Sequence, residues 1–361
     1  MRKIGLLIAI FALLSGCGIK DIDKRFFVVT TGIDWTGNPE KPYRVSLRLA
    51  ITSSKLESGS SKTEIISTDA ASLAEGVRHL KSYVDKELDF GHCRTFIMGK
   101  QLLEHGNLNA MSWFARRRDI QRVANFAVGE PDALSILRVQ PISERYPGNA
   151  LFLTFNREGT ESPYIVSIPL FDFTRRHFEM GLDPVLPIIR TAESTYIVDR
   201  VLLLDKNNMR LALDPAETQL YNMTANRIDK SELVMPARGR DGRIVMTVSQ
   251  IRTKIRISHA EVPQITMTVK LRGMLEESPP NQLGENWKEI ERQLGQQFSD
   301  RMEALLEKIR DAGVDPYGFG LHYLATYFGG KEDFKHWQSV YPNVKFKVVA
   351  EVKVTGPGVV R

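Results

Sequence analysis

The sequence predicts a multi-domain α+β protein in which antiparallel or mixed sheets are each covered by helices. Three observations lead there. At 361 residues the chain is too long for one ordinary core. Its 42% hydrophobic and 25% charged residues match a globular composition. Segments with strand-like alternation are interleaved with segments that carry a helical apolar stripe.

Residues 1–16 read as an export leader, with Arg2 and Lys3 ahead of an apolar run over residues 4–14. The uncharged stretch between Lys3 and Lys20 falls short of the roughly 18–20 apolar residues that span a bilayer comfortably. Leu14-Ser15-Gly16-Cys17 resembles the bacterial lipobox, whose cysteine thiol receives a diacylglyceryl group before cleavage. On that reading Cys17 is the lipidation residue and the first residue of a 345-residue mature chain. An uncleaved anchor and a plain secretory signal are the alternatives. Residues 17–25 then form a tether, and the nine residues from Cys17 to Phe26 reach roughly 30 Å when fully extended.

An N-terminal α+β domain follows over residues 26–145. Residues 26–35 are rich in strand formers, and residues 44–51 alternate, with Val45, Leu47, Leu49 and Ile51 on one face. The Ser/Gly-rich stretch TSSKLESGSSKT is an exposed loop leading into a strand at 64–67. Asp69 is placed to cap a helix whose stripe is Leu73, Val77, Leu80 and Val84. CRTFIMG and VANFAV are strands on either side of a helical region at 111–120, and Pro131 opens a helix to about residue 139.

Residues 146–194 lose periodicity among Pro147, Pro163, Pro169, Pro184 and Pro187, as an irregular connecting region or small subdomain would. The C-terminal α+β domain covers 195–361, although its first hairpin and helix, 195–225, are also compatible with the preceding region. Strands at 243–249, 251–258, 264–275 and 344–354 make a sheet with one apolar face, read as antiparallel. Trp287, Ile290, Leu294, Phe298, Met302, Leu305, Leu306 and Ile309 form the stripe of a long amphipathic helix that covers it. The opposite face carries Arg252, Lys254, Arg256, Lys270, Arg272, Lys345, Lys347 and Lys353, a pattern that fits a solvated surface or a lipid or partner surface.

Without the leader the chain has 47 basic and 43 acidic residues, a net of +4. That is modest for a nucleic-acid binder, and suits either an anionic membrane surface or ordinary solvation. Cys93 has no disulfide partner once Cys17 is acylated. No CxxC, HExxH, GxSxG or phosphate-binding glycine loop occurs. His92 and Cys93 are neighbours in an extended segment and point to opposite faces, so the thiol reads as structural. Arg116, Arg117, Arg118 and Asp119 spread over most of a helical turn, which requires internal pairing or a docked partner. No catalytic constellation, metal site or cofactor site emerges beyond the covalent lipid on Cys17.

Several segments together resemble the Ger(x)C family, lipoprotein C subunits of spore nutrient-germinant receptors. GCGIKDIDKRFFVVTTGID, with Gly32-Ile33-Asp34, is similar to the family's start. LDFGHCRTFIMGKQLLEHG followed by FARRRDIQRVANFAVGEPDAL is similar to its middle block. DPYGFGLHYLATYF, Trp337 and the strand ending in Gly356 are similar to its C-terminal signature. Gly18 departs from the aromatic that commonly follows the family's cysteine. The resemblance implies a non-enzymatic, lipid-anchored subunit on the outer face of the inner spore membrane, working with membrane-embedded receptor subunits. It leaves direct contact with the nutrient open. A lipid-anchored solute-binding protein and an exported hydrolase are the competing classes. The first needs two similar lobes around a cleft, the second a visible nucleophile, metal or acid pair.

Overall fold

The computed structural model describes residues 24–356 apart from 51–62, 107–110, 142–148, 157–160, 226–227, 237–241, 259, 279–286 and 327–329. A nine-stranded sheet contains β1 (Arg25–Trp35), β2 (Tyr43–Ala50), β3 (Thr63–Ala70), β4 (Glu87–Asp89), β5 (Thr95–Gly99), β6 (Asn125–Glu130), β7 (Val185–Ala192), β8 (Thr195–Leu204) and β9 (Met209–Leu213). Its order is β3-β2-β1-β5-β6-β7-β8-β9, with β4 beside the start of β1. Strands β1, β5, β6 and β7 run parallel, and antiparallel strands complete both flanks.

Parallel strands are stable only with both faces covered, which explains why Thr95–Gly99 is buried throughout instead of alternating. Phe96, Met98, Phe126, Val128 and Ile188 enter the main core. Ile97, Ala127 and Ile189 enter a second core on the opposite face, under α4 (Ala133–Arg138) and α5 (Asn149–Phe155). The main-core face is covered by α1 (Leu73–Leu80), α2 (Lys100–Glu104), α3 (Ser112–Arg116) and α6 (Leu170–Phe178).

Several expectations change here. Ser72 caps α1 by accepting from the Glu75 N–H, whereas Asp69 lies in β3 and pairs with Arg44. The described residues between 149 and 194 include α5, α6 and β7. Pro169 is the N-cap of α6, Pro184 stands just before β7 and Pro187 within it, so these prolines hide the periodicity of short elements without abolishing them. The 195–213 hairpin extends the first sheet, the alternative that the sequence left open.

The second sheet is β10 (Ser231–Pro236), β11 (Arg243–Ile257), β12 (Gln264–Glu277) and β13 (Lys345–Val354). β11 is one strand with a register shift between Val248 and Gln250, where two strands were expected. The 25-residue α8 (Trp287–Asp311) buries the expected stripe from Ile290 to Ile309. The sheet is mixed instead of wholly antiparallel, because β13 pairs parallel to β12. The long helical crossover returns the chain to the starting end of β12, and a strand that begins there has to run parallel.

The free edge of β13 is closed by α8. Backbone N–H groups of Val348, Ala350 and Val354 donate to Glu303 Oε1 (2.6 Å), Ser299 Oγ (3.0 Å) and Glu291 Oε1 (2.9 Å). Gly295, in the same row, allows the approach, since a Cβ there would meet the Ala350 carbonyl at 2.9 Å. An edge strand satisfied in this way offers little template for another chain. Three further helices, α7 (Pro215–Thr224), α9 (Phe319–Leu324) and α10 (Lys331–Val340), complete the described fold. One contiguous core runs from the first sheet through α7 into the second.

Candidate functional site

Cys17 lies outside the described residues. The arginine run is described, and its geometry differs from a helical one. Helix α3 ends at Arg116, and Arg117 is extended (ψ 132°), so residues 117–124 form a loop where a helix to residue 120 was expected. Arg117 lies half-buried with its guanidinium 4.7 Å from the Phe90 ring centroid and 5.0 Å from that of Trp113. Its Nε donates to Asp119 Oδ1 at 2.7 Å, and its Nη2 pairs with Oδ2. Burial pushes the Asp119 carboxyl up, but the bonds and charge of Arg117 outweigh that and hold it below its ordinary value. Arg117 and Asp119 are thus a structural pair, and Arg116 and Arg118 are left exposed. Arg117→Ala is expected to cost about 1–2 kcal/mol from the lost cation–π contacts and ion pair, read as a lower urea midpoint.

A cleft of about 340 Å³ separates α3 from α6. Met111, Ser112, Ala115 and Arg116 line one side, and Phe173, Thr174, His177 and Phe178 the other. Helix α6 is capped at Pro169, whose carbonyl accepts from Phe173, and Leu170, Phe173 and Arg176 face inward. Its outward stripe is Phe171, Arg175 and Phe178. Burial and the nearby Lys206 charge lower the pKa of His177 and favour the neutral ring, which stacks on Phe173 and meets Phe178 edge-on.

Two of the family-like segments, the first and the last, are clasps between a buried carboxylate and backbone. In Gly32-Ile33-Asp34, the Asp34 carboxylate accepts the N–H groups of Ala133 (2.6 Å) and Leu134 (2.9 Å) at the start of α4. Gly32 leaves room for that helix, as a Cβ would meet Ala133 Cβ and Leu137 at 3.1 Å. Burial pushes Asp34 up to about 6.

In DPYGFG, Asp315 Oδ1 accepts from Gly318 (2.9 Å) and Phe319 (3.0 Å), and Oδ2 from Gly320 (2.7 Å). This clasp joins the two sheet regions. The Asp315 N–H donates to Asp183 Oδ2 at 2.7 Å, and the Asp183 N–H returns to the Asp315 carbonyl at 2.8 Å. Arg176 donates to Asp172 (3.0 Å), to the Asp183 carbonyl (3.1 Å) and to the Pro316 carbonyl (2.9 Å). Lys206 Nζ donates to the carbonyls of Arg176, Glu179 and Leu182, closing the C-terminal end of α6. Gly181 and Gly320 touch backbone to backbone, and the Leu321 N–H donates to the Gly181 carbonyl at 2.9 Å. Burial, aided by the Asp183 charge, pushes Asp315 up to about 7 against the pull of its three N–H donors.

In the sequence, DPYGFG stands out only as part of the family-like C-terminal signature, and nothing there marks Asp183, Arg176 and Lys206 as its partners. Asp172 and Arg176 carry an i,i+4 signal. Lys206 sits in a turn, where nothing local announces its partners. Cys93 is buried with Sγ 3.4 Å from Thr31 Oγ1, and burial pushes its thiol up to about 12, as suits a structural thiol. Among the described residues no cluster of His, Cys, Asp or Glu has the makings of a metal site, and no helix is long and apolar enough to cross a membrane.

Comparison with known proteins matches the chain in two consecutive parts, whose boundary falls between β7 and β8 within the first sheet. Residues 18–191 match the model for the spore germination protein N-terminal domain. Residues 199–358 match the spore germination B3/GerAC-like C-terminal model. The chain is 20% identical to spore germination protein GerQC of Bacillus cereus, over 83% of this chain and 84% of that protein. It is also 20% identical to the putative spore germination protein YfkR of Bacillus subtilis (strain 168), over 96% and 94% of the two chains. The crystal structure of the GerBC protein shares the fold, with a TM-score of 0.58 at 15% identity over 90% of this chain and 96% of that one. Matched on each half, in order, by a spore germination model, the chain belongs to the Ger(x)C family of spore germination proteins.

Proposed function

We propose that this chain is the membrane-anchored C subunit of a spore germinant receptor. It is held by a lipid on Cys17 at the extracytoplasmic face of the inner spore membrane. It serves nutrient-triggered germination through contacts with membrane-embedded receptor subunits, without turnover. The observation that carries this reading is the pair of family models that together account for both halves of the chain. The interior supports it. The buried ionic groups around Asp315 are spent on joining two domains, and the protonated thiol of Cys93 is a poor nucleophile at neutral pH. The solute-binding alternative asks for two similar lobes. Here a nine-stranded sheet covered on both faces sits beside a four-stranded sheet covered on one, a poor match to that plan.

Cys17→Ala is expected to leave unprocessed precursor with no incorporated lipid, read by mass and by metabolic labelling with a fatty acid. Mature mass and label retained in that variant would reject the anchor. Deletion of the gene in a strain with no other receptor for the same nutrient is expected to abolish the optical-density loss that nutrient triggers. Undiminished germination there would reject the receptor assignment.

A further inference from the structure

We propose that the end of the nine-stranded sheet from which the tether leaves is a bilayer-contacting face. Val123, Phe171 and Phe178 enter the headgroup region, and Arg116, Arg118 and Arg122 meet the phosphates of anionic lipids. The proposal rests on the anchored-subunit reading above and adds an orientation to it.

Topology supplies the first argument. Strands β1, β4, β5, β6 and β7 are parallel, so all of them begin at the same end of the sheet, with Arg25 opposite Glu87 and Thr95 opposite Asn125. The tether enters there, and the loops that lead into β5 and β6 lie there too. A short path connects them. Arg25 pairs with Asp89, the adjacent Phe90 ring lies under Arg117, and the Arg122 carbonyl accepts the Phe171 N–H at 3.0 Å. With at most roughly 30 Å of chain between Cys17 and Phe26, this end is the part of the body that an acylated cysteine keeps closest to the membrane.

Composition of the surface supplies the second. A surface helix normally turns its polar side outward, yet α6 presents Phe171, Arg175 and Phe178 at helical spacing of four and three. Phe178 is 69% exposed, Phe171 49% and Val123 61%. Large exposed aromatics beside a cleft call for a covering surface. Charge chooses which. Arg116, Arg118 and Arg122 are exposed, and no acid pairs with them among the described residues. Exposed aromatics flanked by arginines are the make-up of a face that lies in an anionic membrane interface. The basic outer face of the second sheet differs, since its large exposed hydrophobic side chains are Met274 and Val349 and neither is aromatic.

The test uses the chain from residue 17 onward with Cys17→Ser, so that no lipid contributes. It is floated with vesicles of phosphatidylglycerol and phosphatidylcholine, and with phosphatidylcholine alone. The expected result is salt-sensitive binding to the anionic vesicles only, weakened about tenfold or more by Phe171→Ser with Phe178→Ser and by Arg116→Glu with Arg122→Glu. Arg252→Glu with Lys254→Glu, on the second sheet, is expected to bind as the parent does. All these positions are exposed, and an unchanged thermal midpoint verifies each fold. Equal binding by the Phe variant, loss in the second-sheet variant, or no binding by the parent would overturn the proposal. So would unchanged vesicle binding together with weaker co-purification of membrane-embedded partners, which makes the face a protein-docking site. None of these outcomes bears on Cys17 processing or on the deletion phenotype, so the two readings fail separately.

Discussion

Asp315→Ala is expected to cost roughly 3–5 kcal/mol of stability, because it orphans three buried backbone donors and opens the joint between the domains. Urea unfolding should show the lower midpoint, and limited proteolysis should cut early between the two sheet regions. A midpoint within error of the parent would mean that the clasp is not a determinant of the joint. A pH dependence accompanies it. The folded carboxyl is pushed up to about 7, and that of Asp34 to about 6, both chiefly by burial. Between the unfolded value near 4 and these folded values, the native state binds more protons than the unfolded state. Stability should therefore fall as pH rises through about 4 to 7 and level off above, with His177 opposing over its own narrower range. Denaturant midpoints that rise steadily from pH 5 to 8 would contradict this sign.

Gly181→Ala is expected to cost more than about 3 kcal/mol, a backbone-strain cost added to a steric one. Gly181 has φ +73°, a left-handed conformation that L residues avoid, and its new Cβ would stand 2.5 Å from the backbone of Gly320 and Leu321. Neither neighbour is a flexible side-chain end, so relief requires the domains to separate and the Leu321 to Gly181 hydrogen bond to stretch. Gly37→Ala is the control. It shares the positive φ, but its Cβ would meet nothing within 4 Å, so it should show the strain cost without the clash. Equal midpoints for the two variants would show that the close approach contributes nothing.

Much of the fold was legible wherever one element presents one stripe to one core. The α8 stripe and the alternation of β12 and β13 follow from spacing alone, since amphipathic period is a local property. The short elements between 149 and 192 were hidden, because helices of seven and nine residues leave few periodic positions and prolines interrupt the pattern around them. Strand direction was hidden as well. β13 alternates identically whether parallel or antiparallel, and only the returning α8 crossover selects the former.

By itself, the sequence determined the α+β class and the family, properties that periodic stretches and ordered segments carry, and it supplies the leader and lipobox reading of residues 1–17 on which the proposed anchor rests. Tertiary structure alone decided what the arginine run and DPYGFG do. Arg117 finds Phe90 and Asp119, Asp315 finds Asp183, and Lys206 finds the end of α6, through partners that the fold brings together. A charge buried among backbone dipoles takes its role from where those dipoles end up. The exposed Phe171 and Phe178 make the same point from outside, because only the fold reveals that a helix rich in aromatics turns some of them away from the core.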